Sequence, residues 1–265
     1  MRIATWNVNS IRARIDRVLA FLERSETDVL AMQELKCREE QFPFEAFTAA
    51  GYEVAMVGFN QWNGVAIVSR VGLRDITKGF PAMPTWGDPP VHEARAISAV
   101  VGTDHSLRIW SLYVPNGREL EHPHYTYKLE WLAALREHVA ANLAEDPAAR
   151  TVLVGDWNVA PRDEDVWSMD VFDGKTHVSE PERAAFAAFE EAGLREVTRT
   201  FVPQQYTYWD YQQLRFPKNE GMRIDFALAS PALAERASGA AIDRDERKGK
   251  GASDHVPVIV DFTLD

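Results

Sequence analysis

The sequence predicts an α+β fold in which two sheets pack face to face with helices outside. Three observations carry this. Short apolar runs that read as buried strands recur along the 265-residue chain, and strands outnumber the segments with helical spacing. No Gly-rich phosphate fingerprint follows any of these runs, which weighs against the alternative, a doubly wound parallel sheet. No linker, repeat or low-complexity tract divides the chain, so residues 1–265 read as one domain of a size that can bury a large core.

In chain order, Ile3 to Asn7 reads as a short strand ending in a polar turn, where Asn9 or Ser10 can cap a helix. Ile11, Ile15, Val18 and Leu22 then recur at helical spacing, predicting a helix to about Arg24. Val29 to Met32 is a buried strand that delivers Gln33 and Glu34, and Gly64 to Val68 is another. The Pro-rich stretch from Pro81 to Pro90 is a loop. Leu107 to Tyr113 is a strand leading into the turn Pro115-Asn116-Gly117, and Leu129, Leu132, Leu135 and Val139 mark a helix over Tyr127 to Leu143. Thr151 to Val154 is a strand that Gly155 ends just before Asp156. Glu182 to Ala192 is a helix closed by Gly193, Ile224 to Ala229 a strand, and Val256 to Leu264 a last, alternating strand.

Composition narrows the class. No run approaches the roughly 18 apolar residues of a membrane span, and the N-terminus lacks a signal-peptide pattern, so we expect a cytoplasmic protein. Cys37 is the single cysteine; internal disulfides, zinc clusters and thiol chemistry have no support, and Cys37 reads as a bystander. The net charge of −11 opposes a simple basic nucleic-acid binder. The run from Arg244 to Lys250 is a source of local positive charge or a solvated loop.

Polar clusters close the predicted strands: Asn7-Val8-Asn9, Gln33-Glu34, Gly155-Asp156-Trp157-Asn158 and, before the last strand, Ser253-Asp254-His255. Each of these residues alone would be a turn, a cap or a packed histidine. Their recurrence at strand ends brings compatible groups to one rim, and such a set suits a hard divalent cation and hydrolysis of a phosphate ester. Glu34 is the candidate metal ligand, with Asn7 and Asn9 as neutral oxygen donors. Asp156 can position or deprotonate a water, and Asn158, two residues on along the same strand face, can donate to phosphate. Tyr113 can hydrogen-bond a phosphate oxygen. A charged His255 needs a carboxylate partner, for which Asp225 is the best candidate. The other six histidines, His177 among them, receive no role.

These segments match a family. The chain resembles the exonuclease III type of AP endonuclease in the endonuclease/exonuclease/phosphatase superfamily. The resemblance is carried by Trp6 to Arg12 (WNVNSIR), Leu30 to Lys36 (LAMQELK), Asn63 to Ile67 (NGVAI), Tyr113 to Gly117 (YVPNG), Gly155 to Pro161 (GDWNVAP), Thr207 to Tyr211 (TYWDY), Gly221 to Asp225 (GMRID) and Ser253 to Val258 (SDHVPV). It implies a four-layer αββα sandwich with mostly antiparallel sheets. It further implies a Mg²⁺-dependent phosphodiesterase (Mn²⁺ as a substitute) that cuts duplex DNA 5′ to abasic sites and digests or cleans 3′ ends as a monomer. By the same resemblance Glu34 binds metal with Asn7 and Asp254 near it, Asp156 handles the attacking water, Asn158 and Tyr113 hold the phosphate, and Asp225 orients His255. Asn9, Asn116 and Arg118 fall on the substrate side. Tyr208, Met222 and Ile224 line an apolar pocket for a flipped abasic sugar. The same fold serves RNA 3′ ends and other phosphate esters, which stand as the alternative substrates.

Overall fold

The structure, a computed structural model, describes residues 1–264. Its elements in chain order are β1 (Arg2–Asn7), α1 (Ile11–Ser25), β2 (Val29–Gln33), α2 (Phe44–Ala49), β3 (Glu53–Val57), β4 (Val65–Ser69), β5 (Leu73–Lys78), β6 (Ala96–Val101) and β7 (Leu107–Tyr113). Then come α3 (Pro123–Glu145), β8 (Thr151–Asp156), α4 (Met169–Phe172), α5 (Glu180–Glu191), β9 (Arg195–Glu196), α6 (Arg215–Lys218), β10 (Asp225–Ala229), α7 (Pro231–Ala234), β11 (Ala237–Ile242) and β12 (Val258–Phe262). Two six-stranded sheets form, in the orders β11-β12-β1-β2-β4-β3 and β5-β6-β7-β8-β10-β9. Each is antiparallel except for one parallel pair, β1–β2 in the first and β7–β8 in the second.

Strand alternation sorts the side chains into three apolar layers. Ile3, Val29, Ala31, Ile67, Ile97, Ile109, Val152, Val154, Ala227 and Val260 point inward and fill the space between the sheets. The opposite faces carry Ala4, Trp6, Leu30 and Met32 against Val18, Phe21 and Leu22 of α1 and Phe47 of α2. On the other sheet Trp110, Leu112, Leu153 and Phe226 meet Trp131, Leu132 and Leu135 of α3 and Phe186 and Phe189 of α5. This is the expected αββα order.

The same alternation places the polar end. Along the inward-facing positions the letters change from apolar to polar in one direction: Ile3, Thr5, Asn7; Val29, Ala31, Gln33; Ile109, Ser111, Tyr113; Val152, Val154, Asp156. Strand β10 runs the other way and starts with Asp225. Register aligns these ends, with Asn7 opposite Gln33, Tyr113 opposite Asp156, and Asp156 opposite Asp225. Just beneath them Gln33 Nε2 donates to Thr5 Oγ1 at 3.0 Å and to Ser111 Oγ at 3.0 Å. Ser111 Oγ in turn donates to the Met32 carbonyl at 3.0 Å. The buried amide thus stitches the two sheets together with its donors satisfied.

Several expectations change. Strand β8 does not stop at Gly155 but continues through Asp156. Gly155 has φ 151°, and a Cβ there would land on the Leu112 carbonyl of the neighbouring strand, so close backbone approach requires the glycine. Helix α3 starts at Pro123, with the His122 side chain accepting from His124 N–H. The last strand is shorter than predicted, because residues 253–257 form the loop that carries His255. Neither Asn9 nor Ser10 caps α1 by its side chain; Asn9 is engaged in the site. The segment from Pro81 to Pro90 is a loop, pinned by backbone hydrogen bonds between Trp86 and Val91. Strands β3, β5, β6, β9 and β11 escaped prediction; β5 is largely exposed and β11 is built of small residues, so neither of these two presents an apolar run.

Gly155→Ala should cost about 4 kcal/mol or more, because backbone must move. Gly193→Ala, at φ 104° with open space around the missing Cβ, should cost only about 1 kcal/mol. Urea unfolding of both variants checks the ratio.

Candidate active site

The site lies where the polar ends of both sheets meet. Asp225, first residue of β10, places Oδ2 2.8 Å from His255 Nδ1. The other face of the ring presents Nε2 at 3.6 Å from Asp156 Oδ2. All three side chains are buried. Burial alone would drive the proton off His255, but the charges of Asp225 and Asp156 outweigh it and hold the imidazolium up to about 10. Burial raises Asp156 to about 7, with Asp225 and Glu34 adding to the rise and His255 and Asn7 opposing it. The ligand atoms of these three residues fall within 4.8 Å of one another. With Nδ1 committed to Asp225, a proton-holding chain fits them better than an ion cage.

Asp156 is held by two more contacts. Its Oδ2 accepts from Asn7 Nδ2 at 3.0 Å and its Oδ1 from the Asn158 backbone N–H at 2.9 Å. Asn158 does not share the strand face as expected. It adopts φ 51° just past the strand end, and its side-chain amide donates to the Val114 carbonyl at 2.9 Å. Its Oδ1 accepts from Asn116 Nδ2 at 3.2 Å.

Glu34 lies just after β2, itself at φ 52°. It accepts from the Tyr113 hydroxyl and pairs with Lys36 Nζ at 3.3 Å. Burial, followed by the Glu34 charge, pushes the Tyr113 phenol well above its ordinary range, although the Arg95 guanidinium stacks 4.8 Å from its ring. Lys36 Nζ also donates to Asn9 Oδ1 at 2.5 Å, and Asn9 Nδ2 donates to Asp254 Oδ1 at 3.0 Å. Asn9 therefore links the Glu34 and Asp254 sides of the rim. Asn7 Nδ2 is engaged with Asp156, while its Oδ1 accepts the Asn9 backbone N–H at 3.0 Å. The donors on offer to a metal are carboxylate and amide oxygens, a hard set.

The apolar trio is also assembled. Tyr208 and Met222 pair through backbone hydrogen bonds, and Met222 and Ile224 pack with Ala160, Val166 and Val178. The Tyr208 ring lies 4.9 Å from that of His255. Arg118 stands at the edge, its guanidinium 5.8 Å from the Trp86 ring. Cys37 is buried, and burial pushes its thiol up to about 11, consistent with an inert role.

His177 is one site residue that sequence reasoning missed. Its Nε2 lies 3.1 Å from Asn158 Oδ1 and 3.2 Å from Asn116 Nδ2. Donation to Asn158 Oδ1 sets the Nε2–H tautomer. Burial, then the Lys128 charge, lowers its pKa to about 3, so the ring is neutral. Lys128, Glu182 and Arg95, all buried, were missed as well. A lone histidine in a loop carries no periodicity that could have flagged it.

A rim of buried acids around a charged histidine, on two packed mixed sheets, defines a phosphoester-hydrolase class of site. The chain belongs to the endonuclease/exonuclease/phosphatase family, whose model matches residues 4–255, and within it to the exonuclease III type of hydrolytic nuclease. It is 29% identical to "Exodeoxyribonuclease III" of Haemophilus influenzae over 99% of this chain and 100% of that protein. A 3′-phosphatase from Neisseria, solved with a product DNA hairpin, superposes with TM-score 0.92 at 35% identity over 100% of both chains. An AP endonuclease from Archaeoglobus fulgidus superposes with TM-score 0.91 at 34% identity, again over 100% of both.

A histidine lowered from 6.5 to about 3 binds its proton more weakly folded than unfolded, so its contribution to stability is complete above pH 6.5 and lost as pH falls toward 3. His177→Asn, which suits the positive φ of 80° at this position, should therefore gain stability relative to the parent below pH 6.5. The gain should approach about 1.4 kcal/mol per pH unit. Urea unfolding of both proteins from pH 7.5 to 4.5 checks it; a pH-independent difference would contradict a neutral His177.

Proposed function

We propose that this chain is a Mg²⁺-dependent DNA-repair nuclease that acts as a cytoplasmic monomer, with Mn²⁺ as a substitute ion. Its substrates are duplex DNA carrying abasic sites, cut 5′ to the lesion, and 3′ ends that are blocked or resected. The observation that carries the reading is the buried chain Asp225–His255–Asp156 facing the Glu34 rim. The similarity to a 3′-phosphatase bound to product DNA and to an AP endonuclease supports DNA as the substrate. Among the described residues no helix is long and apolar enough to cross a membrane.

A hard divalent ion suits the residues present. Glu34, Asp156, Asp225 and Asp254 crowd one rim. Lys36 already sets an ammonium between the oxygens of Glu34 and Asn9, and burial, with the charges of Asp225 and Glu34, pushes Asp156 toward protonation. Glu34 would hold the ion, with Asp254 and Asn7 beside it. When bound it supplies Lewis-acid neutralisation of the phosphate.

The chain's own groups supply the rest. Asp156, made more basic by burial, accepts a proton from the attacking water and aims it at phosphorus. His255, kept charged by Asp225, directs Nε2–H at the charge that develops on the phosphoryl oxygens. Asn158 spends one amide N–H on Val114 and keeps the other for phosphate, beside Tyr113. Asn9, Asn116 and Arg118 contact the strand near the scissile bond. Tyr208, Met222 and Ile224 form the small apolar recess that admits a baseless sugar and rejects a nucleotide.

The test is cleavage of an end-labelled duplex with one abasic-site analogue, beside an intact duplex, a 3′-phosphate duplex and single-stranded RNA, with Mg²⁺ present. A cut 5′ to the lesion, release of 3′-phosphate or a ladder from 3′ ends supports the reading and sizes each activity. Hydrolysis of RNA alone would move the substrate to the alternative. EDTA should abolish activity and Mg²⁺ restore it; chelator-resistant hydrolysis would sink the metal mechanism. Asp156→Asn should slow the reaction by a factor on the order of 10³. A tenfold or smaller loss in folded protein would remove Asp156 from its role.

A further inference from the structure

We propose that the buried ion pair Lys128–Glu182 is a positioning device that sets Asn116 and Asn158 against each other in the phosphate-holding part of the site. The inference rests on the phosphate role proposed for those two amides. Lys128 projects from α3 and Glu182 from the first turn of α5, and both side chains are completely buried. Lys128 Nζ donates to the Asn158 carbonyl at 2.6 Å, to the Asn116 carbonyl at 3.2 Å, and to Glu182 Oε1. Its three N–H bonds thus end on the two site loops and on one carboxylate.

Glu182 extends the tie to a third loop. Its Oε1 accepts from the His177 backbone N–H at 2.9 Å, and Thr176 Oγ1 lies 2.6 Å from it and 3.1 Å from the Asn116 carbonyl. Its Oε2 accepts from Ser179 Oγ at 2.5 Å, closing the cap of α5. The side chains of Asn116, Asn158 and His177, one from each loop, meet at 3.1–3.2 Å. Gly117 bears the imprint of the same packing. A Cβ there would sit 2.6 Å from Thr176 Oγ1 and 3.2 Å from Lys128 Cδ, so the turn after Asn116 is free of a side chain where the pair passes.

Stability alone does not explain such a pair. Two charges taken fully out of water gain little over well-packed neutral groups of similar size. What an ammonium offers here is three directed donors for the carbonyls of two separate loops and a helix carboxylate, which no apolar pair could provide. Burial lowers the Lys128 pKa, the Glu182 charge opposing, and the whole assembly lies behind the amides, out of reach of substrate.

The discriminating variant is the neutral double Lys128→Met/Glu182→Gln, which removes both charges together and keeps volume. We expect cooperative unfolding with a midpoint close to the parent, a kcat on a 3′-phosphate duplex lowered about tenfold or more, and a KM within about threefold. Parental kcat in the folded double variant would overturn the proposal, as would a loss explained by the unfolded fraction. Should the double variant fail to fold, Thr176→Val removes only the hydroxyl between Glu182 and the Asn116 carbonyl. It should lower kcat about threefold or more at unchanged stability, and parental kcat there overturns the proposal equally. Asn158→Ala separates the two layers of inference. If it retains full rate, the phosphate role fails; if it is slow while the Lys128, Glu182 and Thr176 variants are fast, the positioning role alone fails.

Discussion

The hydrogen bond between His255 Nδ1 and Asp225 Oδ2, 2.8 Å long, joins the loop before the last strand of one sheet to the first residue of a strand in the other. A histidine buried this far would shed its proton. It keeps it because Asp225 and Asp156 lie on either side of the ring. The partner carboxylate is itself short of contacts, since Asp225 Oδ1 is buried with no hydrogen-bond partner. The interaction is thus mutual: each charge is tolerated in the interior because the other is there. Asp156 completes the arrangement, and its contacts to Asn7 and Asn158 bring in the first sheet and the loop after β8.

The net charge of −11 looks unfavourable for work on a polyanion, but distribution matters more than the sum. Cations gather at the rim. Lys36 sits between Glu34 and Asn9, Arg14 reaches the Tyr211 hydroxyl at 3.1 Å, and Arg247 packs 4.9 Å from the Tyr211 ring. The run from Arg244 to Lys250 is not a loosely solvated loop throughout. Arg244 lies 4.2 Å from the Phe216 ring, and Glu246 is tied to Arg17 and Arg24. Part of the acidic excess is the site itself, where carboxylates suited to a divalent ion are concentrated.

Much of this was legible because strand alternation is. Inward positions of β1, β2, β7 and β8 run from apolar to polar toward one end, so Asn7, Gln33, Tyr113 and Asp156 had to converge wherever those strands paired in register. What stayed hidden had no period to betray it. Asn158 breaks from the strand face through a left-handed turn, and its orientation depends on a carbonyl and a histidine from other loops. The contacts of Lys128 with Asn116, Asn158 and Glu182, and of the His177 ring with Asn116 and Asn158, join residues 12 to 61 positions apart. Lys128 sits in a helix whose stripe reads as ordinary core, and nothing local separates a buried cation there from an exposed one. The hydrogen bond from Asn7 to Asp156 was likewise invisible, because alternation fixes the face of a strand and not which neighbour an amide prefers.

Whether Asp225 and His255 act as a unit is measured directly by a double-mutant cycle on DNA hydrolysis. Asp225→Asn and His255→Ala would be assayed singly and together, with folding checked by urea unfolding. If Asp225 works through His255, the double variant will be about as slow as His255→Ala alone. Losses that multiply would mean that the two residues act separately, and the buried pair could not be the centre of the site.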